Sequence, residues 1–203
     1  MKTQDIIFAA ATGLTVAFIG ADFLNGVNLK NYSWHLFWLF PLLSVICLKI
    51  SEIIGKKAAF IHQAAKFFLV GAFSAVVDIK IYQFSAWMFG LFFLISPITS
   101  KSISFLAATV VKYGGNKIWV FEKNGKDGIK KEIVQFFTIT LIGMIIDVAT
   151  FYYFTKIMGP QFSMQSKIWE ELSIIFAALV AALWNFLGYK FWVFAKPKTV
   201  PDN

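Results

Sequence analysis

Apolar segments of membrane-spanning length follow one another along this chain, at about 6–24, 34–50, 67–94, 102–121, 133–157 and 171–195. No polar stretch between them is long enough to build a soluble core. The separators are short turn signals: Asn25-Gly26, Gly55, Ser96-Pro97, Asn124-Gly125 and Gly159-Pro160. Charged residues make up 15% of the chain and hydrophobic ones 58%, with a mean hydropathy of +0.68. A soluble domain carries roughly 25% charged residues. These features predict an all-α polytopic membrane protein with about six transmembrane helices.

All nineteen basic residues are lysine, and the net charge is +8. In a soluble protein that balance points to nucleic acid; in a membrane chain it reports lysines retained on the cytoplasmic side. No nucleic-acid partner is expected. Lys49, Lys56, Lys57 and Lys66 lie between the second and third segments. Lys117, Lys123, Lys126, Lys130 and Lys131 follow the fourth, and Lys190, Lys196 and Lys198 the last. The alternate loops hold only Lys30, Lys101, Lys156 and Lys167. This asymmetry places both termini in the cytoplasm and the protein in the cytoplasmic membrane. Trp34, Trp119, Trp169 and Trp192 fall near segment ends, where an aromatic belt belongs. The start of the chain has no clear cleavage motif for a signal peptide.

Cys47 is the single cysteine, and His35 and His62 have no ligand-spaced neighbours. No disulfide, metal site or cofactor is expected. Without a phosphate-cradling glycine loop or a nucleophile–base pair, an enzyme is the least favoured class. In the first segment Ala9, Gly13 and Ala17, with Gly20 nearby, give the small-residue spacing that lets another helix approach closely. Pro41 should kink the second.

The later two thirds of the chain repeat. Phe67-Phe68 opens one unit and Phe136-Phe137 the next, and at this offset of 69 Asp78 falls on Asp147 and Gly71 on Thr140. At the far end Lys117-Ile118-Trp119-Val120-Phe121 matches Lys190-Phe191-Trp192-Val193-Phe194 at an offset of 73, which sets Gly115 on Gly188 and Lys112 on Asn185. Each unit is two spans long, so the copies run parallel. The expected organisation is an N-terminal hairpin over 1–60 and a four-helix domain over 61–203, with repeats at about 66–122 and 135–195.

Asp78 lies about 18 Å along a helix from Lys66, and Asp147 about 22 Å from Glu132, at 1.5 Å per residue. Both carboxylates therefore fall near mid-membrane. A charge there costs roughly 2.5–3.5 kcal/mol on insertion scales, so such residues face the bundle interior. Gly71, Ser74, Asp78 and Ser85 share one stripe, and Thr140, Gly143, Asp147 and Thr150 the corresponding one. Thr109, Lys112 and Asn116 share a face of the fourth span, as do Ala182, Asn185 and Tyr189 of the sixth. Lys112 is within reach of Asp78, whereas Lys80 points off that stripe. Two readings of these residues stand. They glue helices together, at perhaps 0.6 kcal/mol per contact, or they line a substrate path. Lys117 and Lys190 are likewise either interfacial anchors beside Trp119 and Trp192 or contacts for a lipid phosphate.

The paired pattern resembles the GtrA-like family of small membrane proteins. Its units open with Phe-x-x-x-Gly and an Asp about ten residues on, here Phe67 to Asp78 and Phe136 to Asp147. They close with Asn-Phe, a basic residue and Trp-x-Phe, clearest here in Asn185-Phe186 through Lys190 to Trp192-Val193-Phe194. The resemblance covers residues 66–195. The chain departs from it by adding an N-terminal hairpin and by carrying Lys112-Tyr113 where the second copy has Asn185-Phe186.

The resemblance implies a flippase that moves a polyprenyl-phosphate-linked monosaccharide across the cytoplasmic membrane for cell-surface polysaccharide or teichoic-acid glycosylation. It also implies a membrane glycosyltransferase as partner and leaves self-association open. The substrate-binding candidates are Asp78, Lys112, Asn116, Lys117, Asp147, Asn185 and Lys190: lysines suit phosphate, while Asp and Asn suit sugar hydroxyls. The competing readings are a non-transporting scaffold for a glycosyltransferase, docking through the loop 122–132, and a small-solute/proton antiporter in which Asp78 or Asp147 titrates.

Overall fold

The computed structural model describes residues 1–26, 30–90, 97–123, 125, 128–161 and 166–195. The expected turn residues Ser96 and Asn124 and the lysines Lys126, Lys196 and Lys198 lie outside them. Among the described residues there are six α-helices and no strand: α1 Thr3–Gly26, α2 Ser33–Gly55, α3 Ala59–Gly90, α4 Pro97–Gly115, α5 Ile129–Tyr152 and α6 Ser166–Gly188. Spans in α1, α2, α5 and α6 are long and apolar enough to cross a membrane by length and composition alone. The chain is a polytopic membrane protein. Large side chains such as Leu42, Ile53, Ile145, Val148 and Leu183 stand exposed on the helix surfaces, as a lipid-facing exterior requires.

Two compact units divide the chain, Met1–Glu122 with α1 to α4 and Lys123–Asn203 with α5 and α6. In the first unit α1 and α2 form a close hairpin. Its basis is the small-residue stripe: a Cβ on Gly13 would lie 2.5 Å from the Phe40 carbonyl oxygen and the Pro41 Cα, so only glycine fits. Ala9 and Ala17 are fully buried on the same face. Pro41 stands inside the continuous helix α2, at this contact.

The two repeat units are built alike. In the first, Gly115 of α4 packs on Val70 of α3, where an added Cβ would come within 2.9 Å of Val70 Cγ1. In the second, Gly188 of α6 packs on Ile139 of α5, with the same atom 2.7 Å from Ile139 Cδ1. Val70 and Ile139 are related by the opening offset of 69, Gly115 and Gly188 by the closing offset of 73. The sequence periodicity is thus one helix-pair contact made twice.

Both closing motifs leave the α-helix in the same way. α4 widens into a π-helical turn over Asn116–Val120 and α6 into one over Tyr189–Val193. Phe121 N–H donates to the Asn116 carbonyl at 2.9 Å and Phe194 N–H to the Tyr189 carbonyl at 2.8 Å. The freed end carbonyls find side chains instead. Gln63 Nε2 donates to Val120 O at 3.2 Å, and Lys123 Nζ, held by Glu132 at 3.0 Å, donates to Val193 O at 3.1 Å. A third π-helical stretch, Tyr153–Met158, extends α5, whereas the positions 69 earlier, 84–89, lie within the α-helix α3.

Candidate functional site

In the first unit, the polar residues form a ladder on α3 and α4. Asp78 is half-buried, and its Oδ1 accepts from Ser104 Oγ at 2.6 Å across the helix pair. Ser104 is fully buried. Its role was not legible in the sequence, because serine is common in membrane helices and only the α3–α4 register brings it to Asp78. One end of the ladder is Asn116 in the π-turn. Its side chain is fully buried and Nδ2 donates to the Lys112 carbonyl at 2.7 Å, but Oδ1 has no hydrogen-bond partner among the described residues. Lys112 is itself half-buried on α4, one turn before. Lys117, also in the turn, is 8% exposed; its Nζ lies 3.3 Å from Tyr113 Oη and 5.7 Å from that ring's centroid.

The second unit repeats the ladder with different chemistry. Asp147 is half-buried on α5. Ala177 occupies the position equivalent to Ser104, so no hydroxyl comes to Asp147 from there. Asn185 is buried with its amide against Gly143: a Cβ on that glycine would sit 2.5 Å from Asn185 Oδ1. This oxygen, too, is buried without a hydrogen-bond partner among the described residues. Next along, Tyr189 Oη shares a hydrogen bond with Thr140 Oγ1 at 2.7 Å, and its ring stacks on Phe136 at 4.6 Å. Gly143 and Thr140 belong to one stripe and Asn185 and Tyr189 to the other, so the two polar faces of this unit meet. Lys190 is half-exposed, with Nζ 5.6 Å from the ring centroid of Phe186, the counterpart of Tyr113.

The two closing tryptophans differ. Trp192 is 49% exposed, as an interfacial anchor should be. Trp119 is 6% exposed, and the anchor reading does not hold for it. Its Nε1 donates to Asp5 Oδ1 of α1 at 2.8 Å, its ring stacks on Phe8 at 5.0 Å, and Lys66 Nζ lies 5.5 Å over it. Lys66 also pairs with Asp5 at 2.7 Å, with both side chains buried. Sequence reasoning missed this cluster, since Asp5 and Trp119 lie far apart in the chain. Lys80, off the Asp78 stripe as expected, pairs with Asp22 of α1 at 2.5 Å.

Among the described residues no group of three His, Cys, Asp or Glu side chains is placed to hold a metal ion. What the ladders offer is charge, hydroxyl and amide groups within helices of a membrane protein. That equipment suits hydrogen bonding to a polar group.

Residues 66–194 match the family described as GtrA/DPMS, transmembrane domain. The matched region contains both ladders and excludes the hairpin of α1 and α2. No curated protein and no solved structure matches the chain.

Proposed function

We propose that this chain, which belongs to the GtrA/DPMS transmembrane-domain family, is a flippase for a polyprenyl-phosphate-linked monosaccharide in the cytoplasmic membrane, serving cell-surface polysaccharide or teichoic-acid glycosylation. The observation that carries this reading is a pair of buried amide oxygens, Asn116 Oδ1 and Asn185 Oδ1, that have no hydrogen-bond partner among the described residues. A buried acceptor left unsatisfied costs about 1–3 kcal/mol. A sugar supplies hydroxyl donors that would recover this loss, whereas helix glue would have satisfied both atoms already. Within the first unit Asp78 with Ser104 adds polar groups beside α3, and within the second Asp147 adds one on α5.

In this mechanism no covalent bond changes. The prenyl chain stays in the bilayer while the phosphate meets a lysine and the sugar exchanges water for Asp and Asn contacts. Of the two closing lysines, Lys190 is the better entry contact: it is only half-buried, whereas Lys117 is buried against Tyr113. Replacing Lys190 with Gln is expected to weaken binding of a prenyl-phosphate sugar about tenfold, the loss of one charge-assisted contact. Binding of the prenol without phosphate should not change. Equal binding of both ligands to the variant and the unaltered protein would make Lys190 a topology signal only.

The orientation follows from lysine placement, with both termini and the α4–α5 loop cytoplasmic. In a Cys47→Ser background, cysteines introduced at Gly26 and Pro160 should react with a membrane-impermeant thiol reagent from outside, and one at Gly125 only from inside. External labelling at Gly125 would invert the orientation and remove Lys190 from the leaflet where the lipid is made. The glycosyltransferase that makes the lipid is the expected partner.

A further inference from the structure

Two lysines of the first repeat have no counterpart in the second: Gln135 stands in the position of Lys66 and Ala149 in that of Lys80. These are the two lysines that α1 engages, through Asp5 and Asp22 near its opposite ends. The pairs hold α1 parallel to α3. Between α1, α3 and α4 they leave a cavity of about 240 Å³, whose walls include Phe8, Ala11, Val70, Phe73, Gly115 and Trp119. Thr12 also lines it, but its hydroxyl already donates to the Phe8 carbonyl at 2.9 Å. The lining is therefore almost wholly apolar. An engineered apolar cavity of about 150 Å³ stays dry and binds benzene, so this larger one takes a bulkier hydrocarbon.

We infer that the N-terminal helix and the first repeat together form a binding site for the hydrocarbon tail of an isoprenoid lipid. Three aromatic residues, Phe8, Phe73 and Trp119, contribute to the walls, with branched Val70 and Val111 beside them. Flat ring faces suit the planar, methyl-branched double bonds of an isoprenoid. Trp119 lies in the same π-turn as Asn116 and Lys117, so a tail seated here holds its headgroup at the level of the polar ladder. The occupant is taken from the proposed function, but the site lies partly on α1, outside the matched family region.

The test uses geranylgeraniol, which has neither phosphate nor sugar, and the straight-chain saturated alcohol of the same carbon number, with the full-length protein in detergent. The unaltered protein should bind geranylgeraniol at least about tenfold more tightly than the straight-chain alcohol, and Ala11→Phe, which fills the cavity, should lose that preference. A diazirine derivative of farnesol on the unaltered protein reads the site without relying on the variant, and its label should fall on residues 8–12, 70–73 or 111–119. Equal binding of both alcohols would make this an ordinary acyl-chain pocket and overturn the inference. So would undiminished geranylgeraniol binding by folded Ala11→Phe, or labelling confined to other segments. Because these probes bind without being translocated, such failures leave the flippase reading standing; loss of that reading alone leaves the tail site standing.

Discussion

Asp78→Ala is expected to slow leaflet exchange of a prenyl-phosphate sugar by about 10–100-fold while the protein still inserts and purifies. The magnitude follows from a hydrogen bond to a charged group, about 1.5–3 kcal/mol, at 1.4 kcal/mol per tenfold. Asp78 is half-buried and accepts from Ser104 Oγ at 2.6 Å across a helix pair in which Val70 also packs on Gly115. Removing the carboxylate therefore removes a polar contact for substrate more than it removes a fold determinant. Ser104→Ala should give a smaller loss in the same direction, because it leaves the carboxylate in place. If Asp78→Ala is instead absent from the membrane, the carboxylate is helix glue and the ladder is structural.

The second large effect is expected at the hairpin. Removing Asp5 leaves the Lys66 ammonium buried without that partner and Trp119 Nε1 without its acceptor. Breaking one side of a buried ion pair costs about 3–5 kcal/mol. Asp5→Ala should lower the thermal midpoint in detergent by many degrees and expose α1 and α2 to protease. The paired change Asp5→Leu with Lys66→Met should recover most of the loss, since replacing both charges with apolar groups is often neutral. A stable Asp5→Ala single variant would show that the hairpin does not need the Asp5–Lys66 pair. In that case the cavity beside Trp119 would not depend on the ion pair.

Much of the fold was legible because its determinants are local. Apolar length located the six helices, although α3 begins at Ala59, well before the segment expected from 67, and the offsets of 69 and 73 identified the paired units without naming the Val70–Gly115 and Ile139–Gly188 contacts the structure shows. Gly13, read as a point of close helix approach, is one. The π-turns were not legible. Their sequence reads as continuous helix, and the extra residue is revealed only by which carbonyl Phe121 and Phe194 donate to. The Asp5–Lys66–Trp119 cluster was hidden for another reason. Its members are separated in sequence, and Trp119 carries the same motif as Trp192 in the second copy yet is buried by a helix the repeat does not contain. The clue was available in the mismatches: Lys66 and Lys80 break the repeat at the two positions that bind α1.

Within the site, carboxylates, amides and lysines stood out because charge and amide groups are expensive in a membrane helix. Ser104 and Tyr189 did not, since hydroxyls are tolerated there and gain meaning only from the partner across the helix pair. The sequence could not rank Lys117 against Lys190 either. The difference comes from Tyr113, whose hydroxyl holds Lys117, where Phe186 offers Lys190 only a ring face.

The central claim is that the chain moves a lipid-linked sugar between leaflets. The direct measurement is exchange of one defined prenyl-phosphate monosaccharide in proteoliposomes, read by an impermeant enzyme or reagent that modifies only outward-facing sugar. The account predicts that the unaltered protein makes the inner-leaflet pool accessible within minutes, that protein-free vesicles do not, and that Asp78→Ala proteoliposomes lie close to the protein-free ones. Exchange no faster with the unaltered protein than without it, across vesicles where the protein is shown to be inserted and folded, would contradict it.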